Sequence, residues 1–132
     1  MSELHLDTNA LIAVADPALT LFQMIGERIE TGELPAASAV AWHEYVRGSV
    51  SQNDVDRAVR LLGGRILSVN REMAEKAAEL FRKTGSRRAS TADCLIAATA
   101  ILSGATLLTA NRDDFKRFEV HGLKLLAPQP RR

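Results

Sequence analysis

The chain has 132 residues, 46% hydrophobic and 25% charged, with a formal net charge of +1. That length suits one domain with a real core, and the balanced charge neither requires nor excludes a nucleic-acid partner. A single cysteine, Cys94, excludes an intrachain disulfide and any zinc site built on cysteine pairs, so a reducing cytoplasm is the expected compartment.

The chain does not open on a basic segment followed by an apolar one, so no signal peptide is expected. Residues 3–6 (ELHL) predict a short strand, and 8–15 a helix with Asp7 as its N-cap. Pro17 suits the first turn of a second helix running to Gly32. Residues 35–38 (PAAS) read as a short strand or an extended entry to the helix AVAWHEYVRG, which ends at Gly48. A helix over 54–62 is closed by Gly63-Gly64, and RILSV is a strand.

REMAEKAAELFRKTG is amphipathic, with Met73, Ala77, Leu80 and Phe81 on one side and Gly85 as its end. Ser90 or Thr91 caps TADCLIAATAILSG. ATLLTA follows as a strand, NRDDFKRF as a short helix and KLLA as a last strand. The longest uncharged stretch, 94–111, contains Ser103 and Gly104 and reads as a buried helix plus strand rather than a membrane span. Short apolar strands alternating with helices predict an α/β fold, a mostly parallel sheet of four to five strands covered on both faces. One domain is expected over 1–132, with its core at about 3–127 and a short basic tail over 128–132.

Four acids stand in unusual company. Asp7 closes the first strand inside the apolar run LHLDTNALIAVA, where an unpaired carboxylate is costly. It is either a helix cap or a ligand-facing group, because open parallel sheets bind ligands at strand carboxyl ends. Glu44 follows the uncharged stretch LPAASAVAWH and shares a helix face with Val40, Arg47 and Gly48. It forms a surface pair with Arg47, or faces a site where Gly48 leaves room. Gly48 also reads as a helix end.

Asp93 is the sharpest signal. No other charge occurs in its helix through Gly104, and Ile96, Ala97, Ala100 and Ile101 share its face. The helix dipole favours an acid there by roughly 0.3–1 kcal/mol, too little to offset burial without partners. In LLTANRDDF, Asn111, Asp113 and Asp114 open a helix after another strand, where simple capping also accounts for them. Taken together, carboxylates from four segments would repel one another, and a divalent cation removes that conflict. Hard oxygen donors without cysteine point to Mg²⁺ or Mn²⁺ and to phosphodiester hydrolysis. His5, His43 and His121 stand apart from one another and carry no metal assignment, while Trp42, Tyr45 and Cys94 read as core.

The runs LDTNALI, HEYVRG, TADCLIAATA and LLTANRDDF, in that order and spacing over Leu4 to Leu126, resemble the PIN-domain ribonucleases, most closely the VapC-type toxins of bacterial toxin–antitoxin pairs. The resemblance implies a three-layer α/β/α domain with an acidic pocket holding Mg²⁺ or Mn²⁺. It makes Asp7 and Asp93 direct ligands, Glu44 a direct or water-mediated ligand that orients the attacking water, and Asp114 the completion of the set. Thr8, Asn9 and Thr109 would shape the pocket floor. Asn111 stands where some members carry an acid, and SRRASTADC departs from the apolar residues that many carry before the central acid.

The family also implies an antitoxin of the VapB kind and a homodimer, with an RNA substrate such as a tRNA or mRNA. Leu21, Phe22 and Met24 could offer the antitoxin an apolar groove, although they also read as core. For RNA phosphates the charge pattern offers Arg87 and Arg88 before Asp93, and Arg112 and Lys116 beside Asp114. Two competing readings stay open. One is a catalytically weak module that binds RNA or a partner. The other is an aspartate-nucleophile phosphatase, which would want an acid where Asn9 stands.

Overall fold

Among the described residues, five short strands form one sheet in which every pairing is parallel, in the order β3-β2-β1-β4-β5. They are β1 (Glu3–Leu6), β2 (Leu34–Ser38), β3 (Ile66–Leu67), β4 (Thr106–Leu108) and β5 (Lys124–Leu126). The helices are α1 (Thr8–Ala13), α2 (Thr20–Glu30), α3 (Ala39–Val46), α4 (Gln52–Leu62), α5 (Arg71–Lys83), α6 (Thr91–Leu102) and α7 (Arg112–Phe115), the last followed by a 3₁₀ turn over Lys116–His121. The structure is a computed structural model and describes residues 2–85 and 90–129.

The strand order reverses between β1 and β4. Parallel crossovers are right-handed, so connections made before and after the reversal lie on opposite faces of the sheet, which gives the three layers. β1 therefore sits mid-sheet, with Leu4 and Leu6 fully buried, and α6 packs into the core through Ile96, Ala97 and Ala100. Burial on both sides explains why these two segments carry so little charge.

Several element boundaries differ from the sequence expectation. α1 stops at Ala13. α2 starts at Thr20, because the Asp16 carboxylate accepts the Ala18 N–H at 3.1 Å and folds Pro17 into a turn. α4 starts two residues early on the Ser51 cap, whose Oγ accepts from Asp54 N at 3.1 Å. RILSV and ATLLTA pair over only two and three residues. Phe81, expected inside, is 38% exposed, whereas Leu80 is fully buried.

His5, given no assignment from sequence, is 1% exposed between Ala36 of β2 and Leu107 of β4. Its Nε2 lies 2.9 Å from Glu3 Oε1, and Nδ1 has no hydrogen-bond partner among the described residues. Burial holds the imidazole below its ordinary value, against the pull of Glu3. The unfolded chain then takes up this proton at a higher pH than the native state does. The associated stability is present above the ordinary value of 6.5 and is lost as pH falls below it. His5→Leu is expected to remove this acid-side loss in urea melts. A slope against pH unchanged from the parent protein would contradict it.

Candidate active site

The reversal between β1 and β4 opens a crevice at the carboxyl ends of these strands. Asp7 follows β1 directly, and its N–H donates to Leu108 O at 3.0 Å, so the strand ladder fixes its backbone. It holds the N-cap position of α1 without a side-chain capping bond. Its carboxylate, 5% exposed, instead accepts the Thr109 hydroxyl at 2.8 Å. Thr109 Oγ1 in turn accepts from Asn111 N at 3.0 Å, and Asn9 Oδ1 accepts from Ala110 N at 2.9 Å. The turns after β1 and β4 are thus laced together by side chains from both.

Three further segments bring acids to this crevice. Ser38 caps α3 by accepting Ala41 N at 3.1 Å, and Glu44 projects from that helix to accept the Thr8 hydroxyl at 3.1 Å. Glu44 also faces Arg47 at 3.8 Å, so the surface pair and the site-facing reading of Glu44 hold together. Ser90 caps α6 by accepting Asp93 N at 2.9 Å, which fixes Asp93 in the first turn. Asp114 sits in α7, whose N-cap residue Asn111 makes no side-chain capping bond.

One polar cleft of about 280 Å³ is lined by Asp7, Thr8, Asn9, Glu44, Asp93, Asn111 and Asp114, together with Arg47 and Phe115. Thr109 stands behind it, fully buried. A larger groove of about 440 Å³ runs between α5 and α6, but no carboxylate lines it. Gly48 does not line the cleft. Its N–H donates to Tyr45 O at 3.2 Å, and a Cβ there would meet that carbonyl at 3.3 Å.

The carboxylates interact with one another. Burial pushes Asp7 above the usual carboxylate range, the Thr109 hydroxyl opposes it, and the charges of Glu44 and Asp114 push it further. Burial likewise raises Asp93 against its hydrogen bond with Ser90, and Asp114, Asp7 and Glu44 add to the rise. Among the described residues, no three His, Cys, Asp or Glu side chains close to metal-ligand spacing by themselves.

Of the expected RNA contacts, Arg87 and Arg88 lie outside the described residues. Arg112 is half-buried and does not line the cleft, and Lys116 pairs with Asp113 at 3.1 Å beside a different, smaller cleft. Arg47 and Phe115 were not anticipated as cleft residues. The helical spacing places Arg47 beside Glu44, but no periodicity marks the buried Phe115 as part of the lining. Leu21 is buried and Met24 packs against the core, so only Phe22 of the proposed groove residues is exposed.

The profile of the PIN domain family matches residues 4–120. No curated protein matches the sequence. Among solved structures, VapBC2 from Rickettsia felis bound to a fragment of promoter DNA is similar at 19% identity and a TM-score of 0.72, over 96% of this chain and 98% of that one. FitAcB from Neisseria gonorrhoeae gives 21% and 0.72 over 95% and 97%. A toxin–antitoxin complex from Klebsiella pneumoniae gives 24% and 0.66 over 98% and 100%. At these identities the likeness is one of fold.

Proposed function

The chain belongs to the PIN domain family, and from that premise we propose that it is a metal-dependent endoribonuclease acting as the toxin of a toxin–antitoxin pair. The observation that carries this reading is the meeting of Asp7, Glu44, Asp93 and Asp114, from four separate segments, in one polar cleft. Asn9 stands where a phosphatase with an aspartate nucleophile wants a second acid, and its Oδ1 is engaged by Ala110 N. That favours the nuclease.

The donor set is all oxygen and carries four negative charges, which suits Mg²⁺ or Mn²⁺. Such ions need only one or two carboxylates when water completes the shell, so the acids need not close into a three-ligand cage. When bound, the cation lowers the pKa of a bound water and stabilises charge on a phosphoryl oxygen. Asp7 and Asp93 would hold it, and Asp114 would add charge at the cleft wall. Glu44, fixed by the Thr8 hydroxyl, would accept the proton of the attacking water at a carboxylate oxygen. Single-stranded RNA should be cut in Mg²⁺ or Mn²⁺ and left intact in excess EDTA; undiminished cutting in EDTA would refute the metal requirement.

Metal binding should also show in stability. Asp7 and Asp93 titrate higher in the metal-free native state than the ordinary 3.8, so this state holds protons that the unfolded chain has released. Its stability therefore falls as pH rises from the ordinary value through the raised ones. A cation that binds the ionised pair offsets this loss. Mn²⁺ is expected to raise Tm at neutral pH and far less near the ordinary carboxylate value. An equal rise at both would count against binding at these acids.

An antitoxin and a second copy of the chain are the proposed partners. The similar Klebsiella pneumoniae fold named above comes from a toxin–antitoxin complex, and exposed Ile12 and Leu19 line an apolar groove that shares Asn9 with the acid cleft. A chain segment lying in that groove could reach the acids.

A further inference from the structure

The turn after α7 carries two cations, Lys116 and Arg117, into a cleft of about 260 Å³ that Thr84 and Asp113 complete. The two are held differently. Lys116 Nζ lies 3.1 Å from Asp113 Oδ1 at the open surface. Arg117 packs its guanidinium over the Phe118 ring, 5.7 Å from the centroid, and its Nη1 is buried with no hydrogen-bond partner among the described residues.

Nη1 itself lies beyond a ligand's reach, but Arg117 is only half-buried and lines the cleft, so the N–H groups on its cleft side are the ones a ligand meets. The fully buried Phe118 ring supports the guanidinium from one side, and a guanidinium suits an oxyanion such as a phosphate. Thr84 Oγ1 already donates to Leu80 O at 2.7 Å, so the donors left for a ligand are those of Arg117 and Lys116. Among the described residues, two cations against the one carboxylate of Asp113 leave the cleft one positive charge in excess.

This cleft adjoins the acid site. Asp113 and Asp114 are neighbours on α7, which packs against α6. We propose that Arg117, assisted by Lys116, forms a phosphodiester subsite that holds the RNA strand beside the carboxylate cleft. The proposal rests on the nuclease reading. RNA fits better than an acidic peptide, because a strand running through the acid cleft presents an anionic oxygen pair at every nucleotide.

The test is a fluorescence titration of a labelled single-stranded RNA, in EDTA and over a range of salt, into the full chain and its Arg117→Gln, Arg117→Met and Arg117→Lys variants. Arg117→Gln is expected to bind about tenfold more weakly whatever the RNA sequence, and to flatten the dependence of log K on log salt by about one unit. Arg117→Met keeps the apolar stem over Phe118 and should match it even if Gln disturbs packing. Arg117→Lys keeps the charge, and so the salt slope, but recovers only part of the affinity.

Binding by Arg117→Gln and Arg117→Met within about twofold of the parent, with an unchanged slope, overturns the subsite. So does a loss confined to polyglutamate, titrated in parallel as the acidic-peptide probe. Cleavage of the same RNA by the parent in Mg²⁺ separates the two claims. Cleavage with unaltered variant binding removes the subsite alone, whereas absent cleavage removes the nuclease reading and leaves the binding comparison standing.

Discussion

Asp93→Asn is expected to lower RNA cleavage at least roughly a thousandfold, the loss of several kcal/mol of charge stabilisation, while the fold persists. The amide matches the carboxylate in shape, and the Ser90 cap uses the backbone N–H of residue 93, which the substitution keeps. What disappears is a charge that burial and the neighbouring Asp114, Asp7 and Glu44 all make costly. The metal-free variant should therefore melt at or above the temperature of the parent. Activity and stability then move in opposite directions, as expected of a residue held at a cost to stability for its chemistry. Asp7→Asn should behave alike, because its Oδ1 can still accept the Thr109 hydroxyl. Cleavage rates alongside thermal melts decide it. A variant that loses activity only as far as it loses fold would make Asp93 structural.

Thr109→Val should carry the second-largest effect, and it acts without touching a carboxylate. Thr109 is fully buried, and its hydroxyl both donates to Asp7 Oδ2 at 2.8 Å and accepts from Asn111 N at 3.0 Å. Valine keeps the branched shape and removes both bonds. One of them is to a buried acid, so a loss of about 2–3 kcal/mol is expected. The Asp7 carboxyl, already raised, loses the interaction that opposes the rise, so cleavage should require a higher pH as well as fall in rate. Thr109→Ser keeps the hydroxyl and should lie near the parent in both. Equal behaviour of the valine and serine variants, in urea melts and in the pH profile of cleavage, would remove Thr109 from the site.

The contrast between a readable and an unreadable site residue is physical. Asp7, Glu44 and Asp93 stood out because each is an acid beside apolar runs, and burying charge is expensive enough to need a reason. The α6 helix reads as buried for the same cause, because past Asp93 it carries no charge. Arg47 and Phe115 gave no such sign: an arginine on a helix and a phenylalanine in a short turn are ordinary until the fold closes around them.

The bonds that lace the site together join residues far apart in sequence, Asn9 to Ala110 and Asp7 to Thr109. Nothing local pairs them; the adjacency of β1 and β4 does. The expected helix start at Pro17 fails for a local reason, because Asp16 captures the Ala18 N–H and makes the proline part of a turn. His5 shows the reverse limit. Taken alone the residue carries no assignment, while its position in the middle strand buries it with Nδ1 unpaired among the described residues.

The claim on which the rest depends is that the acids of four segments gather one cation. Crystals grown in Mn²⁺, with anomalous scattering recorded at the manganese edge, test it most directly. The expected result is a peak within the cleft in contact with both Asp7 and Asp93, absent from Asp93→Asn crystals grown in the same way. A cleft without a peak at saturating Mn²⁺, or a peak that neither carboxylate touches, would contradict the account.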